Sequence, residues 1–210
     1  SVTVQAGVIT ANLQAFAQEK GLYYPVDFAS SGSSQVGGNI ATNAGGIRVL
    51  RYGMTRQQVS GLKVVTGAGE LLELNKGLTK NNTGYDLRHL FIGSEGTLGF
   101  VVEATFQLAA TPEKATVMLL AMNRMEDCLE ILTAFREHIT LNAFEFFSHK
   151  ALEAVLLHSD LEPPFARTSI FYVLLEFESP DEQALVNALK AFERCTSQGW
   201  VADGIVAGSS

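Results

Sequence analysis

The chain opens with alternating apolar and polar side chains, which predict a half-buried strand over residues 2–6 that ends at Gly7. From Thr10 onward the apolar positions recur at helical spacing, and Gly21 follows the last of them. Because glycine readily adopts the left-handed backbone that closes a helix, we expect the helix to end there. A strand followed by an amphipathic helix therefore begins the fold.

Alternating runs return in the middle of the chain. Residues 59–66 and 70–74 flank the tripeptide Gly-Ala-Gly at 67–69, which predicts a β-hairpin. A short helix is expected at residues 86–90, and a further alternating strand at residues 100–108. The first half of the chain is thus predicted to be rich in strands.

The composition changes at Pro112, after which no glycine occurs until Gly199. Strands and helices are predicted to alternate in this second stretch. The predicted strands are 117–122, 142–147, 169–178 and 200–206, and the predicted helices are 125–138, 150–157 and 181–198. We therefore expect an α+β protein with a first domain of residues 1–112 and an α/β domain of residues 113–210, whose open sheet is covered by helices on one side.

Two glycine-rich segments contain the residues best suited to hold a ligand. In the first glycine segment, residues 33–46, the glycines remove Cβ atoms while Asn39, Thr42 and Asn43 supply donors and acceptors. Such a loop lets the backbone approach a flat ligand closely. The second glycine segment, residues 91–101, has a similar composition, so the two are predicted to be two walls of one site. A pair of glycine turns without a ligand is the alternative.

The second glycine segment differs from the dinucleotide-binding fingerprint. Its glycines, Gly93, Gly96 and Gly99, lie three residues apart, and a predicted strand follows them where the fingerprint requires a helix. Glu95 would also repel a phosphate. We therefore expect this backbone to face the adenosine or the ring portion of a cofactor.

The overall composition excludes several classes of function. The 210 residues are 47% hydrophobic, enough for a sizeable core, and the formal net charge of −7 argues against a nucleic-acid partner. No run approaches the ~18 apolar residues of a membrane span, so a cytoplasmic location is expected, with membrane association of a parent protein left open. Metal-ligand spacing is absent from the sequence positions of Cys128, Cys195 and the four histidines. No metal site is therefore expected in this chain.

Two stretches of sequence resemble a known family. They are VGGNIATNAGGIRVLRYG at residues 36–53 and NNTGYDLRHLFIGSEGTLGFV at residues 81–101. Both are similar to stretches of the FAD-linked oxidases that include D-lactate dehydrogenase, the glycolate oxidase D-subunit and D-2-hydroxyglutarate dehydrogenase. The resemblance implies a flavin domain of the vanillyl-alcohol-oxidase type followed by a cap domain that holds the substrate.

The resemblance also implies FAD as the cofactor and a set of residues near it. These are Asp27, Ser33, Ser34, Gly37, Gly38, Asn39, Thr42, Asn43, Ala44, Gly45, Glu95, Gly96, Thr97, Leu98, Gly99, Phe100 and Val101. Arg48 and Arg51 are expected to stabilise the adjoining loop. Glu145, in the predicted second strand of the cap, is expected to anchor a loop, and no residue of this chain is assigned a catalytic role.

By resemblance, the parent protein oxidises a D-2-hydroxy acid, namely D-lactate, glycolate or D-2-hydroxyglutarate, by hydride transfer from C2 to flavin N5, with the electron acceptor unknown. The chain begins within a predicted strand, so we expect an internal fragment. In the family, the pyrophosphate loop lies upstream of Ser1, and the substrate arginine and a motif for a base or a divalent metal lie downstream of Ser210. We therefore expect the fragment alone to be inactive and to bind FAD weakly or not at all.

Two alternatives remain open at this point. The chain could be a non-catalytic folded fragment or interaction module with vestigial glycine segments. It could also belong to a flavoenzyme like UDP-N-acetylenolpyruvoylglucosamine reductase, which has a comparable glycine-rich stretch but lacks the continuation GSEGTLG.

Overall fold

The computed structural model describes residues 1–76 and 78–207, and the chain divides into two compact units. The first unit is Ser1–Thr111, and the second begins at Pro112. Each has its own four-stranded sheet and its own hydrophobic core. Among the described helices, none combines the length and the apolar character that a bilayer-spanning segment needs.

The first unit places its strands and short helices around one antiparallel sheet. Its strands are β1 (Val2–Gln5), β2 (Leu22–Tyr23), β3 (Val59–Thr66), β4 (Leu71–Leu74), β5 (Gly99–Phe106) and β6 (Ala109–Ala110). Its helices are α1 (Thr10–Glu19), α2 (Val36–Ala41), α3 (Val49–Tyr52), α4 (Thr55–Gln58) and α5 (Arg88–Phe91). The sheet order is β1-β5-β3-β4, and β2 pairs separately with β6. The opening strand and helix and the β3–β4 hairpin confirm the sequence predictions.

The sheet of the first unit has one apolar and one polar face. Along β3, Leu62 and Val64 are buried, whereas Lys63 between them forms ion pairs with carboxylates on both neighbouring strands. The apolar face belongs to the same core as Leu13 of α1 and Ile40 of α2. This packing fixes α2 against the sheet that carries the end of the second glycine segment.

Helix α2 corrects one expectation. The sequence predicts a loop through the first glycine segment, but residues 36–41 form a helix. Val36 and Ile40 lie four residues apart, on one helical face, and both side chains are fully buried. Burial of two such side chains, worth roughly 1.5–3 kcal/mol each, outweighs the cost of about 1 kcal/mol for each of the two glycines in the helix.

The second unit alternates strands and helices as its sequence predicts. Its elements are β7 (Ala115–Met122), α6 (Asp127–Arg136), β8 (Leu141–Ser148), α7 (His149–Leu157), β9 (Phe171–Glu178), α8 (Glu182–Ser197) and β10 (Asp203–Ala207). Helix α8 begins where the sequence indicates. Asp181 caps its N-terminus, since its side chain accepts a hydrogen bond from the Ala184 amide at 3.0 Å. The α+β fold class is confirmed.

The sheet of the second unit has the order β10-β7-β9-β8, with every pair antiparallel. Strand β9 is antiparallel to both β7 and β8, so these two run parallel to each other, with α6 as their crossover. Strands β9 and β10 are related in the same way through α8. The alternating pattern therefore encodes two split βαβ units, the arrangement of a ferredoxin-like sheet.

The sequence predicts helices on one face of this sheet, but the structure has helices on both faces. Helices α6 and α8 pack on the face that carries Leu120 and Val173. Leu152 of α7 packs instead with Phe147 and Tyr172. Because Tyr172 and Val173 are consecutive strand residues, their side chains point to opposite faces. The long β8–β9 connection therefore places α7 on the other side.

Burial in the second core gives a prediction about pH. The Cys195 thiol is fully buried, and this burial raises its pKa from 9.0 to about 11. The folded state therefore binds the thiol proton more tightly than the unfolded state does. This difference stabilises the folded state fully below pH 9.0, the ordinary pKa of the thiol, and the stabilisation is lost as the pH rises towards about 11. We expect Cys195→Ala to lose about 1 kcal/mol in the free energy of unfolding at neutral pH. In denaturant unfolding at rising alkaline pH, however, the stability of this variant should decline less than that of the wild type. An unchanged decline would contradict the assignment to Cys195.

Candidate functional site

The two glycine segments, separated by more than forty residues of sequence, meet through backbone hydrogen bonds. The Gly93 amide donates to the Ile40 carbonyl at 3.0 Å, and the Glu95 amide donates to the Ala41 carbonyl at 2.9 Å. Both acceptors lie at the end of helix α2. Helix α2 belongs to the first glycine segment, so these bonds place the two segments side by side. They form adjacent walls, as the sequence predicts.

A cavity of about 400 Å³ lies between these walls, within the first unit. Seven of the predicted residues line it: Gly37, Gly38, Glu95, Gly96, Gly99, Phe100 and Val101. Phe100 is 74% exposed, which leaves a large apolar side chain free at the rim of the cavity. The cavity thus has a backbone-rich wall and an aromatic rim, features suited to a flat ring.

The glycines at the cavity have two different structural roles. A Cβ at Gly37 would lie 2.7 Å from the Ala6 Cβ, so this glycine lets α2 pack closely against the chain end of β1. At Gly38 and Gly96, by contrast, an added Cβ would meet nothing within 4 Å. These two positions leave space for a ligand. The Gly96 backbone is also left-handed, with φ +78°, which glycine adopts without strain.

Several predicted residues hold the walls together and do not line the cavity. Asn39 is buried and donates from Nδ2 to Thr10 Oγ1 at 2.7 Å, and this hydroxyl lies 2.8 Å from Ser34 Oγ. Asn43 Oδ1 accepts the Arg56 amide at 3.0 Å. Besides Thr97 and Leu98, the predicted residues outside the cavity lining are Asp27, Ser33, Ser34, Asn39, Thr42, Asn43, Ala44 and Gly45. Their contact with a cofactor stays a prediction.

Thr97 and Leu98 line a neighbouring, more open depression of about 270 Å³ together with the β3–β4 turn. It shares Gly96, Gly99 and Phe100 with the main cavity. The second glycine segment therefore lines both the cavity and the adjoining depression.

The sequence interpretation missed six residues of the lining. They are Ala6, Gly7, Gln35, Ala41, Phe91 and Ser94. Two of them, Gln35 and Ala41, had a readable signal. Together with the predicted Gly38 they are spaced by three residues, so in a helix over residues 36–41 they lie on a face that differs from that of Ile40. The position of Gly7 at the end of the predicted first strand was a second signal for a residue that lines the cavity.

The electrostatics of the cavity favour an uncharged ligand surface. Among the described lining residues, Glu95 alone carries a charge, and its backbone is left-handed with φ +51°. A carboxylate repels phosphate, whereas glycine backbone and Phe100 suit a neutral ring. No group of three or more His, Cys, Asp or Glu side chains in the described ranges could hold a metal ion.

Comparison with known proteins gives this cavity a context. A family model described as the FAD binding domain matches residues 1–75, and one described as the C-terminal domain of FAD linked oxidases matches residues 111–210. The chain belongs to the FAD-linked oxidase family. The cavity residues Gly37 and Gly38 fall within the first match, and a lining of glycine backbone with an exposed Phe100 is of a kind that suits the flat ring of FAD.

Relatives within this FAD-linked oxidase family are similar along nearly the whole chain. A D-2-hydroxyglutarate dehydrogenase from Stutzerimonas stutzeri (strain A1501) is 59% identical over 205 residues, which is 98% of this chain and 44% of the relative. One from Xanthomonas citri pv. viticola is 55% identical over 209 residues, 100% of this chain and 44% of the relative. The mitochondrial D-2-hydroxyglutarate dehydrogenase of Arabidopsis thaliana is 37% identical over 97% of this chain and 37% of the relative. The chain thus spans less than half the length of these relatives.

A solved structure agrees with the fold of the FAD-linked oxidases. An alkyldihydroxyacetonephosphate synthase superposes with a TM-score of 0.72 over 99% of this chain and 39% of that chain. The sequence identity is 20%, so the similarity bears on the fold alone. Together with the two family matches, this likeness confirms the expected vanillyl-alcohol-oxidase-type architecture.

The two adjacent glycines of α2 should respond oppositely to the same substitution. Gly37→Ala forces a Cβ against Ala6, so we expect a loss of about 1–3 kcal/mol in the free energy of unfolding. Gly38→Ala meets open space in a helix, so stability should stay equal or rise by up to about 1 kcal/mol. Denaturant unfolding of both variants measures this difference, and a larger loss in Gly38→Ala would contradict the described packing of α2.

Proposed function

We propose that the protein to which this chain belongs is an FAD-dependent dehydrogenase that oxidises D-2-hydroxyglutarate to the 2-oxo acid. The observation that carries the proposal is the cavity in which both glycine segments meet. The choice among 2-hydroxy acids rests on the relatives named D-2-hydroxyglutarate dehydrogenase, which are 55–59% identical across almost the entire chain.

In this proposal, residues 1–112 form the later part of the flavin domain and residues 113–210 form the first part of the cap domain. The match of residues 111–210 to the C-terminal domain of FAD linked oxidases supports an oxidase over the reductase alternative. The identity of 55–59% to dehydrogenases across almost the entire chain also argues against an interaction module with vestigial glycine segments.

The residues of this chain bind and shield the cofactor. Gly38 and Gly96 leave room for a flat ring, and the backbone of α2 and of the second segment surrounds it on two sides. Phe100 excludes water from the rim. Once bound, FAD supplies the acceptor for the hydride that leaves C2 of the hydroxy acid as the hydroxyl proton is removed.

Other parts of the chemistry are assigned outside this chain. The substrate carboxylates need cations, and the hydroxyl needs a base or a divalent metal. We place this base or metal in the remaining part of the protein, as the resemblance implies. The electron acceptor that reoxidises the flavin is left unassigned.

Anaerobic reduction of the full-length protein tests the proposal. We expect purified protein to carry flavin absorbance that D-2-hydroxyglutarate bleaches and its L-enantiomer does not. D-Lactate and glycolate should show kcat/KM values at least about tenfold lower, since they lack the second carboxylate that the site would bind. Faster turnover of either acid would overturn the substrate assignment, and flavin-free protein would overturn the function.

A graded series at Gly38 tests whether the cavity holds FAD. Gly38→Ala adds one methyl group to an open position and should retain flavin. Gly38→Leu extends a branched side chain into the cavity and should lower FAD affinity by about 100-fold or more, at similar thermal stability. The measurement is the flavin retained after removal of unbound cofactor. Equal retention by both variants would show that FAD binds elsewhere.

A further inference from the structure

A short helix outside the cavity lining connects the two glycine segments. Helix α4 begins at Thr55, which is fully buried and donates from Oγ1 to the Ala44 carbonyl at 2.7 Å. The amide of the next residue, Arg56, donates to Asn43 Oδ1 at 3.0 Å. The start of α4 is therefore fixed to the first glycine segment by two neighbouring residues.

The side chain of Arg56 reaches the other wall. Its Nη1 donates to the His89 carbonyl at 2.7 Å, and its Nη2 donates to the Ile92 carbonyl. His89 is the second residue of the four-residue helix α5, and Ile92 follows the last residue of this helix and immediately precedes Gly93. Carbonyls at the end of a helix lack partners within it, and a cation there is favourable for both hydrogen bonding and the helix dipole.

The contact is closely packed. An added Cβ at Gly93 would lie 3.3 Å from Arg56 Nη2 and 3.3 Å from the Asn43 Cβ. Gly93 has φ +85°, so its backbone turns sharply where the second segment begins. Arg56, Asn43 and Gly93 thus meet at one point, directly beside the bond from the Gly93 amide to the Ile40 carbonyl.

The His89 ring completes the environment of the guanidinium. Its Nδ1 lies 3.1 Å from Arg56 Nη1, and its Nε2 lies 3.4 Å from Asp86 Oδ2. Because a guanidinium only donates, Nδ1 must accept, which leaves the ring proton on Nε2 towards the carboxylate. Two carbonyls and one ring nitrogen therefore fix the orientation of the Arg56 fork.

We propose that Arg56 is a positioning residue for the cofactor: it ties the second glycine segment to the first and sets the width of the cavity between them. Arg56 does not line the cavity, so it acts through the carbonyls of His89 and Ile92. This inference rests on the proposed flavin-binding function. Lysine cannot replace it fully, because a single ammonium lacks the fork that reaches both carbonyls.

The test uses the full-length protein with Arg56→Ala and Arg56→Lys, and with Arg167→Ala as an exposed control in the second unit. In the FAD-free protein, we expect Arg56→Ala to speed amide hydrogen exchange over residues 89–99 while the second unit stays unchanged. The FAD dissociation constant should rise about 10- to 100-fold. Arg56→Lys should fall between the wild type and Arg56→Ala.

Chemical rescue separates positioning from general stability. Guanidinium ion at non-denaturing concentration should restore both exchange protection and FAD affinity in Arg56→Ala, whereas methylammonium should not. Unchanged exchange and affinity in Arg56→Ala would overturn the inference, as would faster exchange in both units without rescue. A wild type that binds no FAD would overturn the proposed function, and the exchange measurement would then still decide whether Arg56 fixes the second segment.

Discussion

The first unit depends on a close approach of backbones that only glycine permits. At Gly37, helix α2 lies so near β1 that an added Cβ would be 2.7 Å from the Ala6 Cβ. The same helix offers the Ile40 and Ala41 carbonyls to the second glycine segment. Since both walls of the cavity are defined relative to α2, a shift of this helix would displace the sheet contact and the ligand wall together.

The polar side chains of the first glycine segment serve the scaffold, which leaves the backbone for the ligand. Asn39 is bonded to Thr10, and Asn43 is bonded to the amide of Arg56. Asn39 is buried, and a buried polar group is costly when unpaired, so its hydrogen bond to Thr10 fixes the geometry strongly. A rigid wall that lacks Cβ atoms at Gly38 and Gly96 can then contact a flat ring without rearranging. The left-handed backbone at Asn43 is held by the bond of its side chain to the Arg56 amide, and that at Glu95 by the bond of its amide to the Ala41 carbonyl.

Sequence periodicity predicted most of the strands and helices, because side chains in one-sided sheets and amphipathic helices repeat their burial regularly. It failed for α2, where glycine propensity suggested a loop and the burial of Val36 and Ile40 decided otherwise. Gly7 at the cavity was missed, but Gly37, Gly38, Gly96 and Gly99 were predictable from the two glycine-rich segments. The contribution of Arg56 was not, because its acceptors are more than thirty residues away in sequence and are backbone carbonyls, which carry no signature in the side-chain pattern.

The charge of the cavity bears on how FAD recognition is divided in this family. FAD has a neutral ring system, an adenosine and a doubly charged pyrophosphate, and these parts need different surroundings. The described lining offers glycine backbone, Phe100 and the carboxylate of Glu95, with no cation among them. Such a site can select a ring by shape but adds repulsion towards phosphate. In the proposed function, the attraction for the pyrophosphate therefore comes from groups beyond this lining, and the glycine walls orient the ring.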